Sequence, residues 1–226
     1  MAISLSTSFS SASYAHKIAI SVSAKRPVYF FLDYSNIAIS AQDVGWLSDG
    51  HAARHSIRLH ARNLRALAQR NRDWKFGFAA AGLHATCPSL CRHFEEASIN
   101  IHVSERGNNS NREQNVDERI QYEMLRLTKK CHERGTVVLA TGDGAGSTRG
   151  EGFHSVLENL LEHGYSIELL SWKHSLNSDL RLWVETHGRY IALDSFYQDI
   201  TFIEGGREAT GTHVLNRKIA KQGLIH

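Results

Sequence analysis

The 226-residue chain has little of what would mark it as secreted, membrane-spanning or strongly charged. It has only three cysteines, and this small, odd number argues against a disulfide framework and fits a reducing compartment. No apolar run approaches the length of a membrane span. The net charge of +3 permits a polyanionic partner without demanding one. With 42% hydrophobic and 22% charged residues, the composition indicates one ordinary globular domain with tails, or at most two small domains.

Acidic residues are absent from the first 26 positions, which are rich in serine. Such a segment is typical of organelle transit peptides, although its fixed positive charges are only Lys17, Lys25 and Arg26. We therefore expect residues 1–26 to be a disordered tail and the protein to be cytoplasmic, with a targeting tail and an organellar location as the alternative. Residues 205–226 are interpreted as a loose basic tail, which leaves residues 27–204 as the folded domain.

Between these tails, short apolar β-prone runs alternate with helical patterns. Strands are predicted at 28–33, 74–81, 99–104, 137–140, 165–172 and 190–193, with a last extended piece at 201–204. Helices are predicted at 57–70, 90–97, 117–133, 153–163 and 179–186, and a short helix or loop at about 37–47. Strands that alternate with helices predict a three-layer α/β fold around a mostly parallel central sheet.

Two of the predicted strands end in an aspartate. The run VYFFL leads directly into Asp33, and TVVLA is followed by Thr-Gly-Asp-Gly, which contains Asp143. Two further acids, Asp117 and Glu118, stand at the start of the helix that precedes the second of these strands. Because ligands of open α/β sheets bind at the carboxyl ends of the strands, we expect these acids to converge on one pocket.

Converging carboxylates favour a site for Mg²⁺ or Mn²⁺, which prefer carboxylate, amide carbonyl and water oxygens. The expected ligands are Asp33, Asp117 and Asp143. Asn36, one short turn after Asp33, can offer an amide oxygen or orient a carboxylate, and Ser35 can donate a hydrogen bond to the same group. Each acid taken alone is also explained as a helix cap or a turn residue.

Five segments resemble the NYN domain, a branch of the PIN-like nuclease superfamily. They are FLDYSN at 31–36, NVDERIQYEML at 115–125, VVLATGDG at 137–144, EGFHSVLENLLEHGYSIELLSW at 151–172 and YIALDSFYQDITFIE at 190–204. The resemblance covers about residues 27–204 and implies a PIN-like, Rossmann-like arrangement. It also implies a divalent-metal-dependent endoribonuclease, which hydrolyses RNA with Mg²⁺ or Mn²⁺. The family's active-site positions correspond here to Asp33, Asn36, Asp117 and Asp143.

The sequence departs from the family pattern at Ala145, where many relatives carry a second aspartate. Glu118 and Glu151 are the acids that would substitute for it. This departure favours an alternative, a non-catalytic RNA-binding or protein-interaction module on the same fold. A third hypothesis, a phosphatase-like hydrolase with Asp33 as nucleophile, lacks its usual second aspartate because Ser35 stands two positions on.

A run of arginines without any acid lies between Asp49 and Asp73. Four of them have helical spacing and predict a cationic helix face for an RNA backbone, with a solvated surface as the alternative. These four are Arg54, Arg58, Arg62 and Arg65. The expected partner is therefore RNA and not a membrane, and self-association into a homo-oligomer is left open.

Overall fold

The structure, a computed structural model, describes residues 26–83, 88–105, 116–130, 133–142 and 152–224. The strands are β1 (Val28–Asp33), β2 (Ile57–Leu59), β3 (Trp74–Leu83), β4 (Asn100–Glu105), β5 (Thr136–Ala140), β6 (Ser166–Ser171), β7 (Arg189–Ala192) and β8 (Thr201–Ile203). The α-helices are α1 (Tyr34–Asp49), α2 (Ala61–Gln69), α3 (Pro88–Glu96), α4 (Val116–Lys130), α5 (Phe153–Glu162), α6 (Ser178–His187), α7 (Tyr197–Ile200) and α8 (Thr212–Lys221). Short 3₁₀ helices span His51–Ser56 and Leu193–Phe196.

Six strands form one sheet in the order β4-β3-β1-β5-β6-β7, and every neighbouring pair is parallel. Hydrophobic clusters with their own helices cover both faces, so the predicted three-layer, Rossmann-like α/β fold is confirmed. From β1 the chain adds β3 and β4 on one side and then returns to add β5, β6 and β7 on the other. The strand order therefore reverses between β1 and β5, and the carboxyl ends of such a pair of strands form a ligand-binding crevice in open α/β sheets.

All six residues of β1 are buried, because this strand lies inside the sheet with helices on both faces. Phe30 and Leu32 belong to the cluster that contains residues of α1, α2 and α8, whereas Phe31 belongs to the cluster with α4, α5 and α6. A fully buried side chain of this size contributes roughly 1.5–3 kcal/mol. Residues two apart on a strand point to the same face, so Asp33 follows Phe31 towards the face that α4 and α5 cover.

One predicted helix is wrong at its beginning. The segment 57–70 begins with the strand β2, and the helix α2 follows only from Ala61. Ile57 and Leu59 are buried while Arg58 between them is partly exposed, and this alternation has the period of a strand. β2 pairs antiparallel with β8 in a separate two-stranded sheet. The partner strand lies more than 140 residues away in the sequence, so local spacing alone could not reveal it.

The interpretation of residues 205–226 as a loose tail is also wrong for most of that segment. The helix α8 packs against α2, and its Leu215 and Ile219 are buried in the core. Apolar side chains four residues apart share one face of a helix, so the segment carries a local helical signal alongside its basic residues. The preceding segment is also held, because Arg207 forms a salt bridge of 3.0 Å with Asp49 at the end of α1.

The segment 1–25 lies outside the described residues, so its interpretation as a disordered or targeting tail stays a prediction. Among the residues that the structure describes, no helix is both long enough and apolar enough to cross a membrane.

Candidate functional site

Asp33 lies at the switch point of the sheet, where it is the last residue of β1 and the N-cap of α1. It is only 4% exposed. Its Oδ1 accepts a hydrogen bond of 3.1 Å from the backbone N–H of Asn36, and its Oδ2 accepts one of 3.2 Å from the hydroxyl of Thr141. Thr141 directly follows β5, so one carboxylate joins both sides of the crevice. These two bonds fix the orientation of the carboxylate.

Gly142 is wedged between the start of α1 and the segment that follows β6. A Cβ atom at this position would lie 2.3 Å from Oδ1 of Asn36 and 2.7 Å from Oγ of Ser175. The carbonyl of Gly142 accepts a hydrogen bond of 2.9 Å from the backbone N–H of Asn177. Only a residue without a side chain fits this close approach, which is the physical reason for glycine before Asp143.

Among the residues that the structure describes, two buried oxygen atoms beside Gly142 have no hydrogen-bond partner: Oδ1 of Asn36 and Oγ of Ser175. An unsatisfied buried polar group costs about 1–3 kcal/mol, so such atoms are uncommon in folded proteins. The orphaned amide oxygen of Asn36 has the chemistry of a ligand for a hard cation. We therefore regard the end of β1, the first turn of α1 and the segment after β5 as one oxygen-rich candidate site.

Asp117 and Glu118 occupy the first turn of α4, where the helix dipole favours negative charge. Val116 and Ile120 of this helix belong to the same hydrophobic cluster as Phe31. The structure therefore places Asp117 and Asp33 on the same side of the sheet. Asp117 is half-buried, whereas Glu118 is exposed.

Ser35 forms a different hydrogen bond from the one expected. Its Oγ accepts a hydrogen bond of 3.0 Å from the backbone N–H of Gly82 and so joins the start of α1 to the end of β3. We interpret Ser35 as a residue that positions α1, and with it the neighbouring Asp33, against the sheet.

Asp143, Ala145 and Glu151 lie outside the described residues. The prediction that Asp143 converges with Asp33 and Asp117 therefore stays a prediction. Within the described ranges, no group of three or more His, Cys, Asp or Glu side chains could hold a metal ion.

The four arginines predicted to form a helical face do not lie on one helix. Arg54 is in a 3₁₀ helix, Arg58 in β2, and Arg62 and Arg65 in α2. Three of them form salt bridges with acids from elsewhere in the fold: Arg54 with Asp43 (2.5 Å), Arg58 with Glu204 (2.9 Å) and Arg62 with Glu96 (3.2 Å). Arg65 stacks over Trp74 and donates to the carbonyl of Ala97. The helix interruption at residues 57–60 thus removes the predicted cationic face.

The last two arginines of the run, Arg70 and Arg72, are buried and share the carboxylate of Glu168 in β6. Burial, reinforced by neighbouring arginines, lowers the pKa of Arg70 to about 9 and that of Arg72 to about 10. These side chains are part of the core beneath α2 and are not available to a polyanion.

Sequence reasoning missed Thr141 and Ser175. Thr141 had a local signal, because it directly follows the apolar strand that precedes Asp143. Ser175 had none, because only the packing of the segment after β6 against Gly142 brings it to the crevice.

No family model matches the chain, and no curated protein matches it. Among solved structures, the fold is similar to a protein of unknown function from Vibrio parahaemolyticus, with a TM-score of 0.54 and 13% sequence identity. The match covers 75% of this chain and 93% of the other. At this identity the likeness defines a class, the three-layer Rossmann-like α/β proteins, and carries no information on activity.

Proposed function

We propose that this protein is a divalent-metal-dependent ribonuclease that hydrolyses RNA phosphodiester bonds at the crevice between β1 and β5. The observation that carries the proposal is the buried carboxylate of Asp33, fixed at the switch point by Thr141 and by the first turn of α1. Beside it lies the orphaned amide oxygen of Asn36. The nuclease chemistry and the RNA substrate come from the resemblance to NYN domains, and we place the activity in the cytoplasm.

The residues present fit Mg²⁺ or Mn²⁺, because the available donors are hard oxygen atoms. Asp33 and Asp117 would hold the ion together with Asp143, and Asn36 would orient a ligand or the scissile phosphate. When bound, such an ion supplies Lewis-acid activation of water and neutralises charge that develops on the phosphodiester.

The protein's own groups would position the reaction. The hydrogen bonds from Thr141 and from the backbone of Asn36 hold the Asp33 carboxylate in one orientation before substrate binds. Gly142 allows Asn36 and Ser175 to pack closely beside this carboxylate, since it carries no side chain that would collide with them.

The test is a cleavage time course on a mixed RNA pool with EDTA, Mg²⁺ or Mn²⁺. We expect cleavage only with a divalent ion, and a loss of orders of magnitude in Asp33→Asn and in Asp143→Asn, because an amide removes the charge that a hard cation needs. The matched control is Asp73→Asn, an exposed aspartate whose carbonyl accepts from Val28 at the opposite end of β1. Cleavage that persists in EDTA, or equal losses in the control, would refute the mechanism.

A non-catalytic RNA-binding or protein-interaction module is the second candidate. It is favoured by Ala145, which stands where many NYN domains carry a second aspartate. RNA binding by the wild-type protein without cleavage under any of the three ionic conditions would select it.

A further inference from the structure

An aromatic side chain flanked by two guanidinium groups lies on the solvent side of α4. Tyr122 is 56% exposed, and the guanidinium carbons of Arg119 and Arg126 lie 5.6 and 5.7 Å from the centroid of its ring. These residues follow one another at spacings of three and four, so they share one side of the helix. Exposed aromatic rings beside positive charge are the elements with which proteins bind single-stranded nucleic acids.

The two arginines are held in place by one buried acid. Glu123 is buried, and its carboxylate forms salt bridges with both Arg119 and Arg126. Within this group, two positive charges face one negative charge, and the exposed Glu118 lies one turn before Tyr122 on the same helix. Because Glu123 fixes both guanidinium groups beside the Tyr122 ring, little side-chain freedom remains to be lost when an anion binds.

This surface begins close to the candidate site. Asp117 lies in the first turn of α4, five residues before Tyr122, which corresponds to about 8 Å along the helix axis at about 1.5 Å per residue. Arg119 also lies over the ring of Phe78 in β3, so this flank of α4 faces the β3 side of the sheet. A strand held at the crevice between β1 and β5 can leave it across this flank.

We propose that Tyr122 is a stacking platform for an unpaired base, with Arg119 and Arg126 as phosphate contacts, so that the substrate of the proposed ribonuclease is single-stranded. The proposal rests on the proposed function for its RNA and for the position of the cut. Single strands are selected because the face of a base is free to stack on a side chain only when it is not stacked inside a duplex. The cationic surface that binds RNA is then this flank of α4 and not the arginines of residues 54–65.

The experiment measures binding of a fluorescently labelled, unstructured RNA oligomer and of a duplex of the same length to the full chain in EDTA. Tyr122→Ala should weaken binding of the single strand about 10-fold and leave duplex binding unchanged, whereas Tyr122→Phe, which keeps the ring, should bind as the wild type does. Arg126→Gln should lower the slope of log affinity against log salt by about one, while Arg119 still neutralises Glu123.

Trp46 provides the matched control, because it is 50% exposed and also has an arginine, Arg54, over its ring, but it lies near the other end of α1. Trp46→Ala should leave single-strand binding unchanged. Equal losses in Trp46→Ala and Tyr122→Ala, an unchanged affinity in Tyr122→Ala, or no binding of the oligomer by the wild type would overturn the proposal.

Because binding is measured without divalent ions, its outcome is independent of catalysis. Binding of the single strand through Tyr122 without any cleavage would support the stacking platform and contradict the proposed ribonuclease activity. Equal RNA cleavage and equal affinity in the wild type and in Tyr122→Ala would support the ribonuclease activity and contradict the stacking platform.

Discussion

Gly142 is the residue where packing and the candidate site depend on each other most directly. Its neighbours on both sides, Asn36 and Ser175, present buried oxygen atoms that have no hydrogen-bond partner in the described part of the chain. An orphaned acceptor is a stability cost that a fold tolerates where the atom has another use. The same close packing therefore explains both the glycine and the position of these two oxygen atoms beside it.

We expect Gly142→Ala to lower the free energy of unfolding by about 1–3 kcal/mol, because the added methyl group collides with Asn36 and Ser175 and forces one of them to move. It should also reduce RNA cleavage, since displacement of Asn36 disturbs the first turn of α1, which Asp33 caps. The measurement is urea unfolding alongside the cleavage time course. The double variant Gly142→Ala with Ser175→Ala removes one of the two collisions and should recover part of the lost stability. An unchanged unfolding midpoint in Gly142→Ala would contradict this account.

At the scale of the element, the start of α2 depends on two histidines. His60 and His93 lie with their ring centroids 5.5 Å apart. Nδ1 of His60 accepts a hydrogen bond from the backbone N–H of Asn63, and Nε2 of His93 accepts one from that of Ala61. Burial lowers the pKa of both imidazoles below the usual 6.5, and the positive charge of Arg62 lowers both further. A ring nitrogen that accepts a hydrogen bond must be unprotonated, so the helix cap needs both histidines to be neutral.

The sign of the resulting pH dependence follows from these lowered pKa values. As the pH falls below about 6.5, these two histidines bind protons in the unfolded chain before they do so in the folded protein. The stabilisation is therefore complete above that pH and is lost as the pH falls towards the folded pKa values. We expect the free energy of unfolding to decrease between pH 7 and pH 5, and the double variant His60→Asn with His93→Gln to flatten this decrease. Asparagine is itself a good N-cap residue.

His213→Gln is the control for this pH dependence, because His213 is exposed and stands in the first turn of α8. The slope of stability against pH should be the same in this variant as in the wild type. A double variant whose slope between pH 7 and pH 5 equals that of the wild type would show that the two histidines do not act as neutral caps.

At the scale of the whole molecule, the C-terminal helix is part of the domain. α8 contributes buried side chains to the same hydrophobic cluster as Phe30 and Leu32 of the central strand β1. Its Lys218 forms a salt bridge of 2.6 Å with Asp199 in α7, and the hydroxyl of Thr212 donates to Asn63 in α2. These contacts join the last helix to the layer beneath it, so we expect one cooperative unfolding transition.

Neighbouring residues of α8 provide a direct test of this docking. Leu215 is 0% exposed and Val214 is 40% exposed. Leu215→Ala should lower the free energy of unfolding by about 2–5 kcal/mol, because it removes a buried side chain and leaves a cavity. Val214→Ala should change it by about 0.5 kcal/mol or less. Urea unfolding measures both, and equal small effects would indicate that the helix is detached in solution.

The sequence by itself determined the layers of the fold and the position of one acid. Apolar runs such as VYFFL carry their own signal, because a strand buried on both faces needs continuous hydrophobicity, and the residue that ends it must lie at the sheet edge. Asp33 could be predicted for that reason. The helices also follow local periodicity, and the Gly164 that ends α5 has the positive φ of 83° expected there.

Only the tertiary structure decided which residues surround Asp33 and which surface carries positive charge. Strand order places Thr141 against Asp33, and packing after β6 brings Ser175 to Gly142; both contacts join segments that are far apart in the chain. The arginines at 54–65 looked like one helical face, but pairing of β2 with β8 interrupts that helix. Residue spacing along a sequence reports only local periodicity, whereas sheet pairing and ion pairing are set by segments that meet in the fold.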